Sequence, residues 1–370
     1  MCEDELTCVS PLDGRYRRST ASLRQYFSEF ALFKYRVEVE VKYFIHLCAV
    51  ARKYNAAHVE AKDTSLVHLA AVTDEQIQSL TDTCITNFSL EDALWIKEKE
   101  KITNHDVKAV EYYLKAKMEP NGLGPCLEFI HFGLTSQDIN NTSIPMILKD
   151  VVTKEYLPKL SAVVALIDSR RKEWNFPMLA RTHGQPASPT NLCKEFGVWV
   201  ERLNVQISQL TNVPFTAKFG GATGNFNAHR VAYPNIEWRI VADDFVTGPL
   251  GLNSRQQLTT QIEHYDNIAA LCDAMKRINT ILLDLCKDVW QYISLHYFRQ
   301  TIKAGEIGSS AIGPQCTDPT LGVASIHGLW QIEGRVGCWC LPRPLNLLRT
   351  VEPIWWLRRR GRLLLAYILQ

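Results

Sequence analysis

No stretch of the sequence approaches the roughly 20 apolar residues that a bilayer-spanning helix needs, so no membrane partner is expected. The first residues, Met1-Cys2-Glu3-Asp4-Glu5, are acidic and lack the apolar run of a secretory leader, which points to the cytoplasm. Charge of one sign is not in excess either. With 41 basic against 39 acidic residues the net charge is +2, and over most of the chain no basic stripe forms, so nucleic acid is not expected as a partner. Paired cysteines are missing as well: the 11 cysteines are scattered, and the one close pair, Cys338 and Cys340, has the wrong spacing for a zinc knuckle. Disulfides and structural metal are thereby excluded as sources of stability, and the thiols should be reduced and partly buried.

What is present is an ordinary globular composition, 46% hydrophobic and 22% charged over 370 residues, enough for a large core divided among two or three packed units. Glycine and proline are absent from Phe27 to Tyr54 and from Asp74 to Met118, and these stretches read as a helical N-terminal unit. The cluster Pro120-Asn121-Gly122-Leu123-Gly124-Pro125 breaks that pattern, which places a domain over residues 1–123. Ser136 to Trp174 then reads as one long helix that Pro145 and Pro158 should kink or interrupt.

Two further helices carry clear seams. Leu192, Phe196, Trp199, Leu203, Ile207 and Leu210 recur at steps of three and four, as do Leu271, Met275, Ile278, Leu282, Leu285 and Val289. Such seams suit long helices packed at shallow angles in a bundle over residues 124–311. Ile281, Leu283 and Ile293 add apolar surface off the second seam, so that helix should bury more than one face. The expected class is all-α, a long-helix bundle with a smaller helical N-terminal domain. Gly220-Gly221-Ala222-Thr223-Gly224-Asn225 is a loop without a preceding strand or a phosphate-loop lysine, which argues against phosphate cradling.

Four segments hold polar groups that a plain bundle does not need. In Thr103 to Glu111 a helix begins with Asn104 or Asp106 near its cap, and His105 is either a site residue or a capping residue. In Leu134 to Asn141 hydroxyls and amides at a helix start form a carboxylate or phosphate seat, or else an ordinary cap made by Ser136. In Arg181 to Ala187 a histidine, His183, sits in a Gly/Pro turn, where acid/base groups are common. Gly305-Glu306-Ile307-Gly308-Ser309-Ser310 is a loop able to carry a hydroxyl to a substrate, or a plain flexible turn.

Taken together, these segments resemble the fumarase/aspartase superfamily, and within it the bacterial-type adenylosuccinate lyase family. The matching strings are Ser10-Pro11-Leu12-Asp13-Gly14-Arg15-Tyr16, Thr103 to Tyr113, Glu128 to Asn141, Arg181 to Ala187, Thr259-Thr260-Gln261-Ile262-Glu263 and Ala304 to Ser310, in family order. The resemblance implies a homotetramer with sites assembled from three subunits, and β-elimination of fumarate from adenylosuccinate and from the succinylated imidazole-carboxamide ribotide of purine synthesis. Ser309 would take the proton next to a substrate carboxylate, and His183 would protonate the departing nitrogen. Arg15 and Tyr16 would bind the nucleotide phosphate; Thr135, Ser136, Gln261 and Ser310 would hold succinyl or ribose groups. Asn104, His105 and Asp106 would line the site, and no metal or organic cofactor is implied.

The likeness weakens after Ser310. The family continues Gly-Ser-Ser-X-Met-Pro-His-Lys-Val-Asn-Pro, whereas this chain reads Ala311-Ile312-Gly313-Pro314-Gln315-Cys316, without the lysine and asparagine that contact substrate. Residues 311–370 hold seven arginines and no lysine, and four of the nine tryptophans lie between Trp330 and Trp356. Residues 312–370 therefore read as a divergent or frame-disrupted tail in place of the family's C-terminal domain. The competing reading is an impaired chain that only oligomerises.

Overall fold

The computed structural model describes residues 7–57 and 66–298. Ser309, Ser310 and the tail 312–370 lie outside the described residues. The longer helices are α1 (Glu29–Ala57), α2 (Asp74–Thr81), α3 (Leu90–Thr103), α4 (Asp106–Met118), α5 (Ser136–Val151) and α6 (Leu157–Glu173). After a hairpin of β1 (Pro177–Thr182) and β2 (Gln185–Asn191) comes α7 (Leu192–Thr211). The short strand β3 (Thr216–Ala217), α8 (Trp238–Thr247), β4 (Ser254–Arg255) and α9 (Asp266–Ser294) complete the order. The molecule is thus predominantly helical, as expected. No described helix is long and apolar enough to cross a membrane.

Capping chemistry explains where several helices start. Thr73 with Gln76 and Ser89 with Asp92 form reciprocal capping boxes that satisfy the first amides of α2 and α3. Neither Pro145 nor Pro158 ends a helix. Pro145 is accommodated inside α5, where the Thr142 hydroxyl bonds back to the carbonyls of Asp138 and Ile139, and Pro158 lies in the first turn of α6, where no amide is required. The interruption is a wider, π-type turn over Val152–Tyr156 directly ahead of Pro158, so the second proline does mark a break while the first does not.

The chain forms two compact units, and neither is continuous in sequence. The described part of the first comprises residues 7–22, Tyr156–Asn212 and residues 270–298, and the second comprises Leu23–Glu155 and Val213–Ala269. The Gly/Pro cluster at Pro120 to Pro125 lies inside the second unit as short helical turns rather than at its edge.

In the first unit α6, α7 and α9 form the bundle. Every seam residue of α9 is buried, and Ile281 beside it is buried too, while Leu283 and Ile293 are half-buried. On α7 the seam holds except at Ile207, which is half-buried. Trp174, at the end of α6, packs edge-on against Phe196 at 5.0 Å between ring centres and lies at the same distance from Phe298. The second unit is centred on α1, whose Tyr43 packs against Phe219 and Phe245 at 5.2 and 5.3 Å.

Phe196 is fully buried and Val198, two residues on, is 40% exposed. Phe196→Ala should therefore lower the unfolding free energy of the bundle by about 3–5 kcal/mol, and Val198→Ala by no more than about 0.5 kcal/mol. Urea unfolding followed by circular dichroism measures both, and equal losses would contradict this placement of the core.

Candidate active site

The first unit supplies three of the predicted residues. Arg15 and Tyr16 follow a hydrogen-bonded turn in which the Tyr16 amide donates to the Pro11 carbonyl at 2.9 Å, and the Arg15 guanidinium lies 6.0 Å from the Tyr16 ring centre. His183 occupies the tip of the β1–β2 hairpin. The pairing of Thr182 with Gln185 leaves His183 and Gly184 as the two-residue turn, with φ of 52° and 75°. Positive φ at both positions is what a tight hairpin turn with the right twist demands, and Gly184 meets it at no steric cost. The imidazole is consequently exposed at the tip of the hairpin.

The second unit supplies the other predicted residues that are described, Asn104, His105, Asp106, Thr135, Ser136 and Gln261. Asn104 closes α3 in the left-handed region at φ 50°, and the next residue, His105, is extended and caps α4. The cap is thus neither Asn104 nor Asp106: His105 Nδ1 accepts the Lys108 amide at 3.1 Å, which leaves the ring proton on Nε2. Asp106 forms an ion pair with Arg36 of α1 at 2.7 Å. Burial disfavours its charge, but the guanidinium and the Val107 amide outweigh that and hold the carboxyl below its ordinary range. Arg36 also donates to Asn140 of α5 at 2.9 Å, so one buried side chain spans two of the predicted segments.

Thr135, rather than Ser136, caps α5. The Thr135 amide donates to Asp138 at 2.8 Å, and the Thr135 hydroxyl accepts from Gln261 at 3.3 Å, which brings the strings Glu128 to Asn141 and Thr259 to Glu263 into contact. Thr135 and Ser136 are half-buried and Gln261 is exposed.

The glycine loop proves to be part of this arrangement. Asp138 Oδ1 accepts from Lys218 Nζ at 2.7 Å, from the Gly220 amide at 2.8 Å and from the Gly221 amide at 3.2 Å. Two successive amides make the kind of nest that holds an anion. Here the chain's own carboxylate fills it, which is why the loop is no phosphate cradle.

Arg36 and Lys218 were not singled out in the sequence, and neither were the buried Glu40, Tyr43 and His229. Glu40, one turn beyond Arg36 on α1, is fully buried and bonds His131 Nδ1 at 2.5 Å. Burial opposes the charged imidazole, yet the Glu40 carboxylate prevails and raises the affinity of His131 for a proton. Tyr43, three residues further along, donates to the Phe132 carbonyl at 3.1 Å and accepts from His229 Nε2 at 3.0 Å. Buried Arg, Glu and Tyr at i, i+4 and i+7 of an apolar helix are the sequence signal that could have marked this stripe. His229 itself, in Phe226-Asn227-Ala228-His229, carries no such signal.

Residues 14–332 match a family model described as lyase, and the chain belongs to that family. It is 49% identical over 314 residues to an adenylosuccinate lyase of Dictyostelium discoideum, covering 84% of this chain and 65% of that protein. It is 45% identical over 309 residues to an adenylosuccinate lyase of Vibrio cholerae, covering 83% of this chain and 64% of that one. The chain thus spans slightly less than two thirds of the curated relatives it matches. Among solved structures a fumarate lyase from Mesorhizobium sp. BNC1 superposes with a TM-score of 0.56 at 17% identity, over 74% of this chain and 57% of that chain. A β-carboxy-cis,cis-muconate cycloisomerase from Acinetobacter calcoaceticus superposes with 0.53 at 17% identity, over 75% and 58%. These two share the fold.

His229 makes a pH prediction. Burial pushes its pKa down from 6.5 to about 4, so the folded chain binds its proton less readily than the unfolded chain does. That contribution to stability is complete above the unfolded value and is lost as pH falls from about 6.5 to about 4, amounting to about 3 kcal/mol. The unfolding free energy of the native chain should fall over that interval more steeply than that of His229→Phe. Parallel curves would show that His229 does not enter the fold neutral.

Proposed function

We propose that the chain is an adenylosuccinate lyase subunit, eliminating fumarate from adenylosuccinate to leave AMP, and from the succinylated imidazole-carboxamide ribotide. The observation that carries this reading is the 49% identity over 314 residues to a protein of that name. The string Thr-Ser-Gln-Asp at a capped helix start and the tie between Thr135 and Gln261 support it.

In this reading the reaction breaks one carbon–hydrogen and one carbon–nitrogen bond. Ser309 Oγ takes the proton from the carbon next to a substrate carboxylate, and the electron pair is held as a carbanion delocalised into that carboxylate. Expulsion of the nitrogen then forms the double bond of fumarate while His183 delivers a proton to the leaving group. A serine is a very weak base, so donors must stabilise the charge that develops, whereas an imidazole is the side chain most often used to pass a proton to a leaving group. Thr135, Ser136, Gln261 and Ser310 hold the succinyl and ribose groups, Arg15 and Tyr16 the phosphate, and Asn104, His105 and Asp106 line the site. The active form is a cytoplasmic homotetramer with sites shared among subunits.

Purified chain incubated with adenylosuccinate should release fumarate, followed by the change in ultraviolet absorbance. Complete absence of release would defeat the reading for this chain, and activity recovered only in mixtures with a full-length relative would identify it as an oligomerising, incomplete subunit. Where release is seen, His183→Ala should slow turnover roughly 100- to 10,000-fold, the usual worth of a general acid. Near-native turnover would reduce His183 to a turn-forming residue.

A further inference from the structure

We propose that Lys218 and Asp138 are positioning residues for substrate binding: their buried ion pair locks the glycine loop to the start of α5 and so fixes the spacing of Thr135, Ser136 and Gln261. The kinetic part of this inference rests on the lyase reading above.

Both side chains are wholly inaccessible to solvent, with Nζ and Oδ1 2.7 Å apart. Lys218 Nζ is further bonded to the Gly221 carbonyl at 2.6 Å, so the ammonium is committed to the loop and not presented to a ligand. Asp138 divides its two oxygens: Oδ2 takes the Thr135 amide, at the cap of α5, and Oδ1 takes Lys218 together with the two loop amides. One carboxylate therefore fixes the helix start relative to the loop.

The loop is pressed between its neighbours as well. A Cβ on Gly221 would lie 2.9 Å from the Gly133 carbonyl, and one on Gly224 would lie 2.4 Å from the Thr259 carbonyl. Gly133 precedes Thr135 by two residues, and Thr259 precedes Gln261 by two. The loop is thus the spacer between the segments that carry these two side chains. Stability does not account for the pair, because a buried ion pair is often no more stabilising than apolar residues of the same volume. What apolar residues could not supply is an acceptor for three amides belonging to two segments.

Lys218→Met, Asp138→Asn and the doubly apolar variant Lys218→Met with Asp138→Leu separate positioning from stability. Lys218→Met is expected to raise KM for adenylosuccinate roughly tenfold or more, with a smaller change in kcat per folded site. It should also speed exchange of the Gly220, Gly221 and Thr135 amides while leaving those of α1 unchanged. The double variant should leave no buried charge stranded, yet it should not regain KM, since no carboxylate remains to accept the three amides. Native KM and native exchange at Gly220 and Gly221 in the double variant would overturn the proposal. If the unaltered chain releases no fumarate, the lyase reading fails by itself and exchange alone decides: unchanged rates in Lys218→Met overturn the positioning role. Should Lys218→Met not fold, Asp138→Asn serves, because its single acceptor oxygen must desert either Thr135 or the loop, and native exchange at both would again be contrary.

Discussion

A carboxylate with no access to solvent is the constraint on which the second unit depends. Desolvating Asp138 is costly, and its charge is tolerable only where donors surround it. Four do so: an ammonium and three backbone amides. Meeting that requirement dictates much else. The loop must come close enough for two successive amides to reach one oxygen, which leaves no room for side chains at Gly221 and Gly224, and the start of α5 must face the loop.

A second polar device runs along α1. Arg36, Glu40 and Tyr43 are buried on an otherwise apolar helix, and each reaches a segment bearing or adjoining residues proposed to hold substrate. Arg36 takes Asp106 and Asn140, Glu40 takes His131, and Tyr43 takes the Phe132 carbonyl and His229. The helix is a scaffold for the polar segments as much as a core element. Its apolar residues, Val37, Val39, Val41, Phe44 and Leu47, supply the burial that offsets the cost of placing charges there.

Periodicity made the bundle legible. Steps of three and four on α7 and α9 identified the buried seams because a helix repeats every 3.6 residues, whatever its partners are. Local chemistry also showed the caps to within a residue, but not which residue: Asn104 and Thr135 each precede a residue equally able to cap, and only backbone geometry distinguishes them. The strands flanking His183 were not foreseen. Pro177-Met178-Leu179-Ala180-Arg181-Thr182 lacks the alternation of a half-buried strand, and the hairpin exists because a two-residue turn pairs its flanks and not because a face is buried. Least legible were the long-range pairs. Lys218 and Asp138 lie 80 residues apart and look like ordinary surface residues in the sequence, since nothing in a local window signals that two opposite charges will be buried together.

The arrangement of loop and helix start depends most directly on the energetic coupling of those two side chains. Urea unfolding of the native chain, Lys218→Met, Asp138→Leu and the double variant forms a closed cycle. If Asp138 is the charge around which the loop and helix start are built, either single change strands a buried partner and the double change relieves it. The coupling free energy should then be about 1–3 kcal/mol. Losses that simply add, within about 0.5 kcal/mol, would mean that the two groups do not depend on one another and would contradict the account.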